Sequence, residues 1–146
     1  MSTVMDLLSG KGFQIFSVVP GANVLEAVDK MILHRVGALL VMDEGVMHGM
    51  FTERDVLKRV VADQKNPADM TVEEVMTRDV LTCSPDIDIE EAGRLMTEHR
   101  IRHLPVIDDH DHTLLGMISI GDINKHYSSR QEQRIMFLEE YLYGRA

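Results

Sequence analysis

Long apolar runs are missing from this chain. The longest, residues 36–42 with only Gly37 interrupting it, falls far short of the roughly 20 residues a helix needs to cross a bilayer. The opening Met1-Ser-Thr-Val-Met-Asp6 lacks a basic region followed by an apolar stretch and a small-residue cleavage site, so the expectation is a cytoplasmic protein with no membrane partner. Cysteine is nearly absent. Cys83 stands alone, which excludes an intrachain disulfide, leaves stability to packing and fits a reducing compartment. With no Lys or Arg within two residues and an apolar run just before it, this thiol reads as a packing group and not a redox centre. Positive charge is scarce too. Fifteen Lys and Arg face 24 Asp and Glu for a net charge of −9, which argues against DNA or RNA as the main partner, and any anion must be met by a few placed cations.

Catalytic signatures are missing as well. Ser9-Gly-Lys-Gly12 lacks the glycine spacing and the Lys-Ser/Thr end of a phosphate-binding loop. His110-Asp-His112 sits in an acidic turn and reads as a solvated hairpin tip rather than a zinc site. No nucleophile with an oriented base and no metal cluster appears at a workable spacing, so the chain is expected not to be an enzyme and to hold no metal.

What the chain does have is an internal repeat. Val19-Pro-Gly-Ala-Asn-Val-Leu-Glu-Ala27 recurs as Ser84-Pro-Asp-Ile-Asp-Ile-Glu-Glu-Ala92, and Met31, His34, Arg35, Val36, Leu39 and Val41 find Met96, His99, Arg100, Ile101, Leu104 and Val106 in the same register. A two-residue insertion in the second hairpin turn then shifts the register, pairing Gly49-Met-Phe-Thr-Glu-Arg-Asp55 with Gly116-Met-Ile-Ser-Ile-Gly-Asp122. Each repeat reads as a short entering strand (13–18 or 80–82), a helix with one apolar face (24–34 or 88–99), two strands (38–42 and 46–51, or 103–107 and 114–118) and a second helix starting at Thr52 or Ser119. This is an α/β (α+β) chain with repeat one over 1–68, including a short helix at 3–8, and repeat two over 69–128. Residues 63–69 form a polar linker, and Thr71-Val-Glu-Glu74 has the form of a capping box. Residues 129–146 read as an amphipathic C-terminal helix.

Thr52-x-x-Asp55 and Ser119-x-x-Asp122 fall where a strand gives way to a helix. Such a box caps the helix, and the same geometry suits a phosphate on the helix-terminal N–H groups and the vicinal hydroxyls of a ribose on the carboxylate. The duplicated Gly-hydrophobic-hydrophobic-Thr/Ser-x-x-Asp, together with Val36-Gly-Ala-Leu-Leu-Val41, Ile101-Arg-His-Leu-Pro-Val106 and Met76-Thr-Arg-Asp-Val80, resembles the CBS-domain family over about residues 8–127.

The resemblance implies two β-α-β-β-α repeats packed with pseudo-twofold symmetry, leaving two clefts for AMP, ADP, ATP, NAD or S-adenosylmethionine. It implies that Asp122 and Ser119 take the ribose and phosphate of one ligand, with Ile15 and Phe16 near the adenine and Val36, Gly37 and Ala38 alongside. Asp55 and Thr52 would serve the other cleft, faced by Val80, Leu81, Ile101, Arg102 and His103. Arg102, His103 and Arg54 are the expected phosphate groups. Met117 borders the ligand motif, although its repeat-equivalence with Met50 also suits core filling. A regulatory role as a homodimer read by an unknown effector protein follows from the same resemblance, the C-terminal segment with Ile135, Met136, Phe137, Leu138, Tyr141, Leu142 and Tyr143 taking part. A ligand-independent dimerisation scaffold is the competing class.

Overall fold

The computed structural model describes residues 2–143, with side chains through residue 131 and at Leu138. It divides into two compact units, Ile15–Leu81 and a second made of Met1–Gln14 with Thr82–Ala146, each built on one copy of the repeat.

In the first unit, β1 (Ser17–Val18) runs parallel to β2 (Ala38–Asp43), which pairs antiparallel with β3 (Val46–Thr52). The β2–β3 turn is the two residues Glu44 and Gly45, both at positive φ (50° and 78°), the backbone that a tight hairpin requires. Between β1 and β2 lies α2 (Val24–His34), opened by Asn23, whose side chain accepts from the Leu25 N–H at 2.9 Å. Val24, Ala27 and Met31 lie on one face of α2 and are fully or almost fully buried, in one cluster with Leu39, Val41 and Phe51 of the sheet. Each of the larger ones, Ala27 excepted, contributes about 1.5–3 kcal/mol relative to its exposed state. The second helix of this repeat is short: α3 (Glu53–Val56) passes into a π-helical turn, Leu57–Val61. A 3-10 turn, Pro67–Asp69, leads to α4 (Val72–Val75), whose Thr71–Glu74 capping box forms as the sequence indicates.

The second unit contains α1 (Val4–Lys11), α5 (Ile89–His99), the antiparallel pair β4 (His103–Ile107) and β5 (Leu114–Ser119), and α6 (Ile120–Tyr143). Its core gathers Val4, Leu8, Ile89, Ala92, Met96, Leu104, Val106, Ile118 and Ile123, all at most 2% exposed.

Three features depart from the sequence reading. The entering strands shrink to the two residues of β1 and, in the second unit, to a single parallel bridge, Cys83 to Val106. The helical arms are exchanged: α1, grouped with repeat one from its position, lies in the unit of repeat two, and α4 lies with repeat one. The backbone explains it. Val4 and Met5 donate to the Ile87 and Pro85 carbonyls, both at 2.9 Å, just as Val72 and Glu73 donate to those of Ala22 (2.8 Å) and Pro20 (2.9 Å). Finally, no separate helix begins at residue 129. Nothing between Asp122 and Tyr143 is Gly or Pro, so α6 runs through without a break. The side chains of Ile135, Met136, Phe137, Tyr141, Leu142 and Tyr143, invoked for assembly, lie outside the described residues; Leu138 is exposed. Among the described residues, no helix is long and apolar enough to cross a membrane.

Candidate functional site

Both Thr/Ser-x-x-Asp motifs fold into the junction their spacing indicates. At the β5–α6 junction the Ser119 hydroxyl accepts from the Asp122 N–H (3.1 Å) and Asp122 Oδ2 accepts from the Ser119 N–H (2.8 Å). At the β3–α3 junction Thr52 and Asp55 do the same at 3.3 and 2.9 Å. The glycine at the start of each motif allows a close approach, against backbone at Gly49 and against a side-chain end at Gly116. A Cβ on Gly49 would lie 2.5 Å from the Thr77 carbonyl oxygen and 2.9 Å from Met76 Sδ, and one on Gly116 would lie 2.9 Å from Leu8 Cδ2. Leu8 on α1 and Met76 after α4 thus hold corresponding places, each helical arm lying across the strand that delivers its motif.

Beyond the cap the two carboxylates diverge. Asp55 is sealed: its side chain is 7% exposed, Oδ2 also accepts from the Thr52 hydroxyl (3.3 Å), Oδ1 accepts from the Thr77 hydroxyl (3.0 Å), and Arg59 Nη1 stands 3.9 Å away. Arg59 is itself held by the carbonyls of Val75 (2.9 Å) and Met76 (2.7 Å). Asp122 is 23% exposed and meets a mobile type of partner, the Lys11 ammonium, 2.6 Å from Oδ2. That ammonium also donates to the Met117 carbonyl at 2.8 Å. The Met50 carbonyl, at the matching place in the other unit, accepts the Thr77 N–H at 2.8 Å. Thr77 therefore does around Asp55, through a fixed hydroxyl and backbone amide, what one flexible lysine does around Asp122.

Burial pushes the Asp122 carboxyl upward, but the Lys11 ammonium and the Ser119 donors outweigh it and leave the group below the ordinary carboxylate range. His103 lies opposite Ser119 in the β4–β5 ladder. Burial lowers its pKa, with the Lys11 and Arg102 charges acting in the same direction and Asp122 opposing them. Arg102 is exposed, and its carbonyl accepts the first N–H of α6, from Ile120, at 2.8 Å. Lys11, Arg102, His103, Met117, Ser119 and Asp122 thus come from one unit, and Lys11 and Ser119 contact the Asp122 carboxylate directly. The resemblance had put Arg102 and His103 with Asp55.

Ile101 lies in the same unit as Asp122, and the other expected ligand residues belong to the unit Ile15–Leu81. Phe16 stacks on His34 with ring centroids 4.2 Å apart. The Gly37 carbonyl accepts the Glu53 N–H at 3.1 Å, Ala38 pairs with Thr52, and Arg54 lies exposed in the first turn of α3. Ile15 and Val80 are half-buried. His110 and His112 are exposed, in a turn tied by Asp108 Oδ1 to the His110 and Asp111 N–H groups (2.8 and 3.2 Å). Among the described residues no three His, Cys, Asp or Glu side chains gather as a metal site. Cys83 is buried and its thiol is pushed up to about 11 by that burial, as a packing group should be.

Sequence reasoning did not find Lys11, Thr77 or Arg59. A signal for the first two was present. Thr3-Val-Met-Asp-Leu-Leu8 and Thr71-Val-Glu-Glu-Val-Met76 repeat one another, and Thr77 and Lys11 follow the two arms one and three residues beyond them, although not at matching positions.

Comparison with known proteins places this geometry. The CBS domain model matches residues 11–62 and again 72–129. The chain is 34% identical over 131 residues to the CBS domain-containing protein YhcV of Bacillus subtilis (strain 168), covering 90% of this chain and 89% of that one. A solved structure of a protein with CBS domains from Burkholderia ambifaria MC40-6 superposes with a TM-score of 0.84 at 38% identity, covering 89% of this chain and 96% of the other. The CBS domain pair of protein MJ0100, solved in complex with 5-methylthioadenosine and S-adenosyl-L-methionine, superposes with a TM-score of 0.76 at 26% identity, covering 89% and 98%. A motif duplicated in sequence, folded twice into the same strand-to-helix junction and matched twice by one family model identifies the chain as a member of the CBS-domain family with two copies of the domain.

Proposed function

We propose that the chain is a sensor module for an adenine nucleotide, AMP, ADP, ATP or NAD(H), with no catalytic activity of its own. The ribose hydroxyls donate to Asp122, and the phosphates lie toward Ser119, Arg102 and His103. The observation that carries this reading is the difference between the two carboxylates. Asp122 is reachable and paired with a single, partly exposed lysine, whereas Asp55 spends both oxygens inside its own unit. Asp55 is accordingly a structural cap rather than a second ribose acceptor, and Thr52 and Arg54 go with it. The adenosine-containing ligands of protein MJ0100 support the ligand class.

Occupancy acts by shifting the module between arrangements that an effector protein distinguishes. A second reading, assembly as a homodimer, draws on another observation: Leu25, Ile32 and Leu33 of α2 and Leu57 and Val61 of the π-helical turn are 43–75% exposed. Five large apolar side chains on the helices of one unit suit a protein partner better than water.

Thermal melts against AMP, ADP, ATP, NAD, NADH and S-adenosylmethionine test the sensor reading. At a hundredfold excess over Kd a true ligand adds about 2.7 kcal/mol. Asp122→Asn should abolish the shift. A flat panel, or a shift that survives Asp122→Asn, contradicts the proposal, and stable self-association without any ligand would then favour the scaffold.

A further inference from the structure

We infer that Lys11 is the residue that selects a phosphorylated ligand, by holding Asp122 closed until an anion draws the ammonium away. The inference rests on the ribose-on-Asp122 reading and goes beyond it by naming what the ligand must carry. Lys11 occupies the carboxylate oxygen and the neighbouring Met117 carbonyl, at 2.6 and 2.8 Å. A ribose whose two vicinal hydroxyls take both oxygens of Asp122 must displace it. Two neutral hydroxyls replace the hydrogen bonds but not the positive charge, so the carboxylate loses its counter-ion and the ammonium loses its anion. A ligand bearing a phosphate restores the balance, since Lys11 exchanges one anion for another while the ribose takes its place on Asp122.

The surroundings allow the exchange. Lys11 is the last residue of α1, 33% exposed, and is followed by Gly12, whose N–H closes the helix on the Leu8 carbonyl at 2.7 Å. A Cβ on Gly10 or Gly12 would meet nothing within 4 Å, so the space around the end of the helix is open. Thr77 cannot make the same exchange in the other unit, because it holds the Met50 carbonyl through its backbone N–H. A ligand with a cationic tail, such as a sulfonium, is opposed by the same charge that favours a phosphate.

The test is titration calorimetry of AMP and adenosine with the full chain, comparing wild type, Lys11→Met, Lys11→Gln, Lys11→Arg and Asp122→Asn. Wild type should prefer AMP. Lys11→Met and Lys11→Gln should weaken AMP by about tenfold to a hundredfold, the range of a charge-assisted hydrogen bond. Adenosine should bind these two variants as well as or better than wild type, because Asp122 no longer has a competitor. Lys11→Arg should keep the preference for AMP. If both ligands bind in an Asp122-dependent way and the AMP-to-adenosine ratio is the same in wild type, Lys11→Met and Lys11→Gln, the selecting role is wrong and the nucleotide reading stands. If neither ligand binds wild type, both fall together.

Discussion

Replacing Asp55 by Ala removes a side chain that closes the N-terminus of α3 and receives three further contacts. The lost cap costs about 1 kcal/mol. The substitution also leaves the Thr77 hydroxyl without its acceptor at a place where the carboxylate was 7% exposed. Buried donors left unpaired add about 1–3 kcal/mol. Together the loss is about 2–4 kcal/mol, which for a domain of this size lowers Tm by about 5–15 °C. Asp122→Ala removes the same kind of cap, but its carboxylate is 23% exposed and its partner Lys11 turns to solvent, so only the cap loss of about 1 kcal/mol is expected. Circular-dichroism melts of the two variants decide the matter. Equal losses, or a larger loss in Asp122→Ala, would refute the division of the two motifs into a structural cap and a ligand site.

The glycines at the start of the motifs give an independent contrast. Gly49→Ala forces a Cβ against a backbone oxygen that cannot yield and should cost about 1–3 kcal/mol, whereas Gly116→Ala meets the end of a leucine side chain and should cost less; chemical denaturation of both variants checks the order. Assembly is tested at α2. Ile32→Glu with Leu33→Glu, at side chains 70% and 75% exposed, should leave folding intact and halve the mass measured by light scattering. An unchanged mass in a folded variant would remove these residues from any homodimer interface.

Much of the fold was legible because its period was strong. The α2 boundaries follow from the apolar spacing from Val24 to Ile32, and β2 and β4 follow from short apolar runs ended by acidic turns. The exchange of the arms was not legible. Val4 and Leu8 mark an apolar face that must be buried, but spacing along α1 carries no information about which repeat supplies the carbonyls of Pro85 and Ile87. The motif residues were equally readable as caps or as ligand groups, since a capping box and a ribose acceptor use the same atoms. What separates Asp55 from Asp122 is a pair of residues remote from each motif, Thr77 and Lys11. The second lies more than a hundred positions from the carboxylate it holds.

The most direct test of the central claim is calorimetric titration of ATP and of AMP into wild type, Asp122→Asn and Asp55→Asn under one set of conditions. The account predicts saturable binding of at least one nucleotide to wild type, retained by folded Asp55→Asn and lost in Asp122→Asn. Binding that survives in Asp122→Asn and disappears in a folded Asp55→Asn would contradict it.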